Sequence, residues 1–600
     1  MRILLIFIFS LILSFYFSDL SSRVWRKIWP RRGWPISYHH SLTGLILALI
    51  GIAALAFGHK TLGSPNNIFL GTALLGIGIG TALHHLLSEN FIVSEKMEKN
   101  FVQKHETATE RFLEILPGAL TWLALTSPVW LSFTLPFALA YLILIADIYW
   151  LFNAIKISVL IYFGYKKMVY AKKQEWFKKL KEEFPNEWDN YYHFIVLPTY
   201  KESLEILQPA FDAIVGSDYL SKKIFIGVGL EERDSPEKIA QVKEYWKKNG
   251  HKIGGAFVTI HPYGLPGELA GPATNRNWAI NNAAKEFAKM GIDPSKVIVT
   301  TLDADFVIHP QFLAGALHKY LSTPAGIRDK RSFTGAFLYN NNYWQAPAPM
   351  RLISSGTAYW QLSEMVGSDK YINFSSLSMN LQSLLDIGLW IPNKVNDDSG
   401  FYWKAYYHFK GDYKVIPHFL PISADAVLDV SLAKTFQNQY LQLKRWAYGV
   451  EHIPFIVKQY FKATDLDFWD KTDKLSFIMW SYFKWGTLAL FIAFGGILIP
   501  FLNPQYSESV VAYNMPIISS WILTAAYIGL LATIIVHEKT VPPRPKSWGI
   551  FHKIWSYLQW TLMPLILVTI ATIPAIDAQT RLMLGKYMEF RVTNKARSST

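Results

Sequence analysis

The feature that most constrains this chain is the placement of its apolar segments, which form one cluster near each end. The first cluster comprises residues 3–17, 41–58, 67–87 and 115–146, and the second comprises residues 485–502, 516–536 and 554–575. A helix rises about 1.5 Å per residue, so about 20 apolar residues cross the roughly 30 Å hydrocarbon core of a bilayer. The chain between the clusters has no such run. The pattern therefore predicts a soluble domain between two bundles of membrane helices.

Two of the apolar segments need separate interpretation. Residues 3–17 are followed by five Arg and Lys side chains instead of a small-residue cleavage site, so we predict a short, uncleaved anchor. Residues 115–146 carry no charge and are too long for one straight crossing. This segment predicts two helices broken near Ser127 and Pro128, with a single tilted helix as the alternative.

The charges agree with a membrane protein. The net charge is +14, yet only 17% of the residues are charged, against roughly 25% in soluble domains. Seven lysines fall within 166–181, directly after an apolar segment, which is typical of a cytoplasmic flank. We predict a multi-pass plasma (inner) membrane protein with a cytoplasmic soluble domain, membrane lipids as partners and no nucleic-acid partner. Three C-terminal passes would, however, place the tail on the opposite side. The alternative is that residues 554–584, which contain Pro564 and Pro574, bend back or lie in the interface instead of crossing.

The soluble domain alternates between short apolar runs and helix-like segments. The runs at 192–197, 222–229, 255–260 and 296–302 are predicted strands, and 275–290 is a predicted helix. This alternation predicts an α/β fold with a mostly parallel sheet. Ligands of such sheets bind beyond the carboxyl ends of the strands. Because the chain contains no Cys, disulfides and thiolate-bound metals are excluded.

Two acidic pairs stand at element ends. Asp303 and Asp305 follow the fourth strand, where both carboxylates can reach one hard cation shared with phosphate oxygens, which predicts Mg²⁺ or Mn²⁺. The alternative is a solvated acidic turn. Asp397 and Asp398 precede a helix-like segment, and a carboxylate there can act as a general base. The alternative for that pair is N-capping of the helix, which Asp favours.

A third cluster follows the acidic pairs. Gln442, Arg445 and Trp446 lie in one helix-like segment. An aromatic ring suits the apolar face of a sugar, and an Arg guanidinium suits diphosphate oxygens. The alternative is an amphipathic helix at the membrane surface, with Lys and Arg side chains extended toward water.

In this order, the motifs resemble those of family 2 glycosyltransferases with a GT-A-like, Rossmann-type domain, particularly membrane-integrated members such as cellulose and hyaluronan synthases. The resemblance covers roughly 190–450. It implies metal and diphosphate binding by Asp303 and Asp305, with Asp398 as the catalytic base beside Asp397. It also implies a nucleotide pocket, formed by Pro198, Thr199, Tyr200, Glu202 and Arg445. The acceptor site that it implies is formed by Gln442 and Trp446.

The chain departs from the family at three positions. Asp397 replaces the Glu before the base. The Asp-rich turn after the second strand is replaced by a turn in which Glu231 is the candidate for base recognition. The Lys before the donor-site residue Asn275 is replaced by Pro272, so Arg276 is the candidate for the lost positive charge.

The C-terminal tail carries a further match. Residues 590–595 fit the F-x-V-T-x-K gating loop of cellulose synthases, which closes over the bound nucleotide. The matching residues are Phe590, Val592, Thr593 and Lys595. The alternative is a frayed basic terminus.

The resemblance implies an inverting hexosyltransferase that moves a sugar from a nucleotide-sugar donor, with a UDP-sugar favoured, to a growing polysaccharide. Single-step transfer to a lipid-linked acceptor and a non-enzymatic transporter or scaffold are the alternatives. The predicted organisation is N-terminal transmembrane helices (1–165), a basic linker (166–190), the GT-A-like domain (191–435), interfacial helices (436–472), C-terminal transmembrane helices (473–580) and a tail (581–600).

Overall fold

A computed structural model of the chain describes residue 77 and residues 103–367, 370–372 and 374–590. The predicted anchor at 3–17 and the segment at 41–58 lie outside this range, as does 67–87 apart from Ile77. The chain divides into two compact units. The smaller unit consists of Met1–Leu116, Phe133–Ala138 and Ile453–Thr464, and the larger unit contains the rest. Within the smaller unit, Lys458 Nζ lies 2.8 Å from Glu110 Oε2.

Two long helices begin the continuously described chain, α1 (Gln103–Thr134) and α2 (Pro136–Lys173). The prediction of two helices is therefore confirmed, but the break at 127–128 is wrong because it lies at Leu135. Pro128 is inside α1, where the Ser132 hydroxyl donates to the Pro128 carbonyl. The break falls before Pro136 because a residue that precedes Pro disfavours helical backbone, whereas Pro itself suits a first helical position.

The soluble part contains one eight-stranded sheet in the order β3-β2-β1-β4-β7-β6-β8-β5. The strands are β1 (Tyr192–Pro198), β2 (Ile224–Glu231), β3 (Gly255–His261), β4 (Val297–Thr301), β5 (Val307–Ile308), β6 (Arg331–Leu338), β7 (Leu377–Asn380) and β8 (Lys414–Ser423). Strands β1 to β4 are mutually parallel, and β7 runs antiparallel between β4 and β6. The predicted α/β architecture is confirmed, with a more mixed sheet than expected.

The order of the first four strands creates a switch point. From β1 the chain moves outward to β2 and β3, and it then returns to β4 on the other side of β1. Val196 pairs with Thr301, so the residues after β4 lie beside the end of β1. Open α/β sheets bind ligands in the crevice that forms at such a point.

Helices cover both faces of the sheet, and buried aliphatic and aromatic side chains fill the space between them. Phe194 of β1, for example, packs edge-to-face on Phe287, with ring centroids 5.4 Å apart. The helices in this part of the chain are α3 (Trp176–Glu183), α4 (Leu204–Val215), α5 (Pro236–Asn249), α6 (Pro272–Lys289), α7 (Phe312–Leu321), α8 (Ala325–Arg328), α9 (Ala348–Gly367), α10 (Leu381–Ile387) and α11 (Asp397–His408).

The chain after the sheet is helical. The helices are α12 (Leu432–Ala447), α13 (Ile453–Lys462), α14 (Phe468–Leu502), α15 (Pro504–Ser507), α16 (Val510–Thr540), α17 (Ile550–Leu558), α18 (Met563–Ile566) and α19 (Thr572–Met583). Within the described range, five segments are long and apolar enough to cross a membrane: Ala108–Thr134, Pro136–Lys173, Phe468–Leu502, Val510–Thr540 and Ile550–Met583. The fifth is not one regular helix, because it is built from α17, α18 and α19 joined by 3₁₀ and π turns.

Candidate active site

The first wall of the site is the turn that follows β1. Thr199 comes directly after Pro198, the last residue of the strand, and its N–H donates to the Gly229 carbonyl at 2.8 Å. The Thr199 hydroxyl and the Tyr200 N–H both donate to Glu202 Oε2 at 2.7 Å. Glu202 therefore holds the turn that the sequence predicts to line a nucleotide pocket, and it places that turn at the switch point.

The turn after β2 is tied to the first by Asp234, a residue to which the sequence assigned no role. Asp234 Oδ1 accepts from the Lys201 N–H at 2.8 Å and from Lys238 Nζ at 2.9 Å. Asp234 Oδ2 accepts from the Glu231 N–H at 3.0 Å. Because the Asp234 side chain is buried, these bonds lock the ends of β1 and β2 into one surface.

Glu231 lies at the edge of that surface. Burial raises the pKa of its carboxyl, and a hydrogen bond from Arg233 opposes the shift. The Arg233 guanidinium lies 3.9 Å from the centre of the Tyr200 ring. This stacked cation and ring form a flat surface of the kind that binds planar aromatic groups. The role of Glu231 in base recognition stays a prediction.

Asn275 and Arg276 lie in the first turns of α6, and both are buried. Asn275 Nδ2 donates to the Gly229 carbonyl at 2.8 Å, so its amide supports the end of β2. Arg276 lies beside the second acidic pair, and its role as the substitute positive charge for the donor stays a prediction. Its guanidinium lies 2.9 Å from Asp397 Oδ2 and 3.8 Å from Asp398 Oδ1, so its charge serves the second acidic pair.

Asp303 and Asp305 follow β4 at the switch point, as predicted. Asp305 is 1% exposed, and its Oδ2 accepts from the Asp425 N–H at 2.8 Å. Asn341 Nδ2 donates to the Asp305 carbonyl at 3.0 Å. The solvated acidic turn is therefore wrong for Asp305, because a buried carboxylate held by backbone and amide donors is a structured element.

Tyr339, at the end of β6, shows what faces this acidic pair. Burial is the main cause that raises the pKa of its phenol, and the charges of Asp305 and Asp303 raise it further. The nearby charge of Arg445 opposes that shift. The charges of Asp303, Asp305 and Arg445 of helix α12 thus all act on the Tyr339 phenol. Charges that are distant in sequence meet here at a single site.

Asp398, in the first turn of α11, belongs to the same site. Its Oδ2 accepts from the Ser375 N–H at 2.7 Å. Burial raises the pKa of Asp398 to about 7, the charges of Asp397 and Asp303 add to the shift, and Arg276 opposes it. Asn396 is the N-cap of α11 and no side chain caps the helix, so the capping interpretation of Asp398 is wrong. A carboxyl with a pKa near neutrality suits proton transfer.

Glu451 and His452 hold the segment that precedes Asp398, and no sequence motif marks these two residues. Glu451 Oε1 accepts from the Val395 and Asn396 N–H groups, both at 2.8 Å. His452 Nε2 lies 2.5 Å from the Asn396 carbonyl, and Asn396 Nδ2 donates to the Trp446 carbonyl at 3.0 Å. The segment after α12 therefore fixes the chain that leads into Asp398.

The Gln442 to Trp446 motif occupies the last turns of α12. Gln442 and Trp446 are half-buried. Lys444 is buried and lies 2.7 Å from Asp577 Oδ2 of α19. The interpretation of α12 as a surface helix with extended cations therefore fails at Lys444, because this cation is used in packing.

Arg445 presents its charge differently. Among the described residues it forms no ion pair, and its buried Nε has no hydrogen-bond partner. Its guanidinium lies 4.8 Å from the centre of the Phe590 ring. A cation without a carboxylate partner among the described residues, whose charge reaches Tyr339 together with those of Asp303 and Asp305, fits the oxygens of a diphosphate.

The tail returns to this site. The Met588 N–H donates to the Tyr448 hydroxyl at 3.4 Å. A Cβ added to Gly271 would lie 3.1 Å from Phe590 Cγ, so the Phe590 ring packs against the start of α6. Phe590 thus stands between α6 and Arg445. The other positions of the predicted gating motif lie outside the described residues: Val592, Thr593 and Lys595.

The carboxylates at this site suit a divalent cation that is bound jointly by the protein and a ligand. In the part of the chain that the structure describes, no group of three or more His, Asp or Glu side chains forms a complete protein cage for a metal. Asp303 and Asp305 supply two carboxylates at a strand end. Mg²⁺ and related hard cations are usually bound by one or two carboxylates together with substrate phosphates and water. The residues present therefore fit such an ion.

Comparison with known proteins gives low similarity. No protein-family model matches the chain, and no curated protein matches it. A mannosyltransferase from Pyrobaculum calidifontis, in complex with GDP-Man and Mn²⁺, is 14% identical, with a TM-score of 0.37 over 72% of this chain and 100% of that one. TarS 1-349 from S. aureus, in complex with UDP-GlcNAc, is 13% identical, with a TM-score of 0.31 over 59% and 93%. These values do not show membership of a family.

Proposed function

We propose that this chain is a membrane-bound inverting glycosyltransferase of family 2 type, which moves a sugar from a UDP-sugar or a related donor to a growing polysaccharide. The observation that supports it most is the convergence of Asp303, Asp398 and Arg445 on one site at the switch point of the sheet. That set supplies a cation and diphosphate site, a proton acceptor and a compensating positive charge. A transporter or scaffold has no need of such a set.

In the proposed reaction, a hydroxyl oxygen of the acceptor attacks the anomeric carbon of the donor sugar. Asp398 takes the hydroxyl proton, while the bond from the anomeric carbon to the diphosphate oxygen breaks and its electron pair leaves with the diphosphate. Arg445, whose charge acts on Tyr339 together with those of Asp303 and Asp305, compensates the charge of the leaving group. A bound Mg²⁺ or Mn²⁺ supplies further charge neutralisation.

Two parts of the site favour a polymer as the product. Trp446, half-buried beside the base segment, offers a ring to an acceptor sugar. Phe590 reaches Arg445, which is where a lid over the nucleotide would have to close. Incubation of membranes with radiolabelled sugar nucleotides, followed by sizing of the products, tests the proposal. A ladder of long products is expected, whereas one added sugar on a lipid would favour the single-step transferase.

We also propose that Ile550–Met583 does not cross the membrane. Its helical run changes to 3₁₀ geometry at Gln559–Leu562 and to π geometry at Leu567–Ala571. Both parts of the segment contact the soluble domain or the helix that follows it. Arg351 NH2 lies 2.8 Å from Gln559 Oε1, and Lys444 Nζ lies 2.7 Å from Asp577 Oδ2. With α14 and α16 as the only C-terminal crossings among the described residues, the tail lies on the cytoplasmic side with the catalytic domain.

The lack of native Cys makes this arrangement testable. Single variants Ser507→Cys, Ser547→Cys and Ser598→Cys place one thiol after α14, after α16 and in the tail. In intact cells, a membrane-impermeant maleimide is expected to label Ser507→Cys alone, and permeabilised cells should show labelling of all three. Labelling of Ser598→Cys in intact cells would mean that the last segment crosses the membrane.

Glu451 is expected to act as a positioning residue. Glu451→Leu should lower kcat by about 10- to 100-fold, because small displacements of a catalytic group have effects of that size. The KM for the donor should stay within about threefold, since the hydrogen bonds that Glu451 accepts in the described part of the chain come from the Val395 and Asn396 backbone. Glu451→Gln keeps an oxygen that accepts both N–H groups and should retain most of the activity. Equal loss in both variants would contradict the positioning role.

A further inference from the structure

A cavity of about 410 Å³ lies at the ends of two apolar helices, and none of the residues assigned to the donor site lines it. Its walls come from the last turns of α2 and α16 and from β5, β6 and β8. The volume is within the range of small-ligand sites, which is roughly 300–1,000 Å³. No part of the proposed transfer reaction uses this cavity.

The charges at the cavity have one sign. Lys172 of α2, Lys539 of α16 and His309 after β5 line it, and none of the lining residues that the structure describes is Asp or Glu. Neither lysine forms an ion pair within the described chain. Burial lowers the pKa of His309, the charge of Lys172 lowers it further, and the charge of Asp218, which does not line the cavity, opposes the shift. Two unpaired cations around one cavity favour an anion.

The rest of the wall is apolar on the side of the helices. Met168 and Val169 line the cavity one turn before Lys172, so apolar and cationic groups share one face of α2. Leu338 and Pro421 complete that side from the sheet. A site with a cationic end and an apolar wall, at the end of a membrane helix, matches an amphiphile better than a free ion.

The cavity is held in shape by the fold. Asn340 Nδ2 donates to the Thr540 carbonyl at 2.9 Å, which joins the end of β6 to the last turn of α16. Val307 pairs with Ser423, so β5 and β8 form a hydrogen-bonded wall. Both ties involve lining residues, so the site exists before any ligand binds.

We propose that this cavity binds a phosphate-bearing anion and that its natural occupant is the headgroup of an acidic phospholipid in the cytoplasmic leaflet. The lipid assignment rests on the proposed membrane orientation, and it is independent of the sugar-transfer chemistry. The competing explanation is that Lys172 and Lys539 only set topology, as basic residues at span ends do. The two explanations differ in whether these two lysines contribute more to the binding of an acidic phospholipid than neighbouring lysines do.

The test uses the full chain purified in detergent. Native mass spectrometry measures retained phosphatidylglycerol or phosphatidylcholine, and a parallel titration uses inorganic phosphate. The variant Lys172→Gln with Lys539→Gln removes the two cavity charges. The control Lys173→Gln with Lys553→Gln makes the same change at exposed lysines that do not line the cavity.

We expect wild type and the control to retain phosphatidylglycerol in preference to phosphatidylcholine. The cavity variant should bind phosphatidylglycerol roughly 30-fold more weakly, given the contribution of two basic residues near an anionic headgroup. Equal binding by the cavity variant and the control would overturn the proposal, as would equal retention of the two lipids. Binding of inorganic phosphate without phosphatidylglycerol would overturn the lipid assignment. Because lipid retention is read by mass, a failure of the proposed sugar transfer would leave this result intact.

Discussion

Replacement of Asp398 by Asn is expected to lower the rate of sugar transfer by about 10²- to 10⁴-fold, the range for loss of a general base. The substitution keeps the shape of the side chain and an oxygen that can accept from the Ser375 N–H. Donor binding should therefore change by less than about twofold, since only the proton acceptor is lost. Radiolabel transfer and nucleotide binding, measured on the same preparation, separate the two effects.

Two matched Asp→Asn changes make this result specific. Asp386 is exposed on the neighbouring helix α10, and Asp386→Asn should leave transfer unchanged. Asp397→Asn should behave differently, because it leaves the buried Arg276 without its closest partner, and breaking a buried pair costs about 3–5 kcal/mol of stability. A lowered Tm is thus expected for Asp397→Asn and not for Asp398→Asn. Near wild-type transfer by Asp398→Asn would show that Asp398 is not the catalytic base.

The second large effect is expected at Asp303. Asp303→Asn should weaken cation-dependent donor binding and lower transfer by about 10²- to 10³-fold, comparable to the loss of one group that stabilises transition-state charge. Higher concentrations of Mn²⁺ or Mg²⁺ should restore part of the activity, because the lost interaction is with the cation. Titration of the metal at fixed donor concentration measures this shift.

Asp305 provides the contrast within the same motif. Its carboxylate accepts from the Asp425 N–H in a buried position, so Asp305→Asn changes packing as well as charge. We expect a lowered Tm for Asp305→Asn and an unchanged Tm for the half-buried Asp303→Asn. If Asp303→Asn kept the metal dependence of the wild type, this motif would not be the cation site.

The strand ends were predictable because each apolar run stops at a polar turn. The runs at 192–197 and 296–302 correspond to β1 and β4, and the residues after them form the site. Order along the chain placed Asp303 and Asp305 at a strand end, and parallel pairing brought that end beside Thr199. Each strand end is visible in the local sequence, and the pairing of the strands brings these ends together in the folded protein.

Other parts of the site depend on contacts between distant segments. The sequence does not reveal the partner of Arg276, because only the fold brings its guanidinium against Asp397. Glu451 acts through the backbone of Val395 and Asn396, so its function leaves no side-chain motif in the sequence. Hydropathy counts 554–575 as a crossing, and Ile550–Met583 is long and apolar enough to be one, so the proposal that it does not cross rests on contacts between distant segments.

The most direct measurement is release of a nucleotide diphosphate from a panel of sugar nucleotides by the purified full-length chain, with and without EDTA. We expect release with at least one donor, abolished by EDTA and restored by Mn²⁺ or Mg²⁺, with the same donor transferred into product by the wild type and not by Asp398→Asn. The absence of cation-dependent release and transfer across the panel, from protein whose fold is intact by Tm, would contradict the proposal that this chain is a glycosyltransferase.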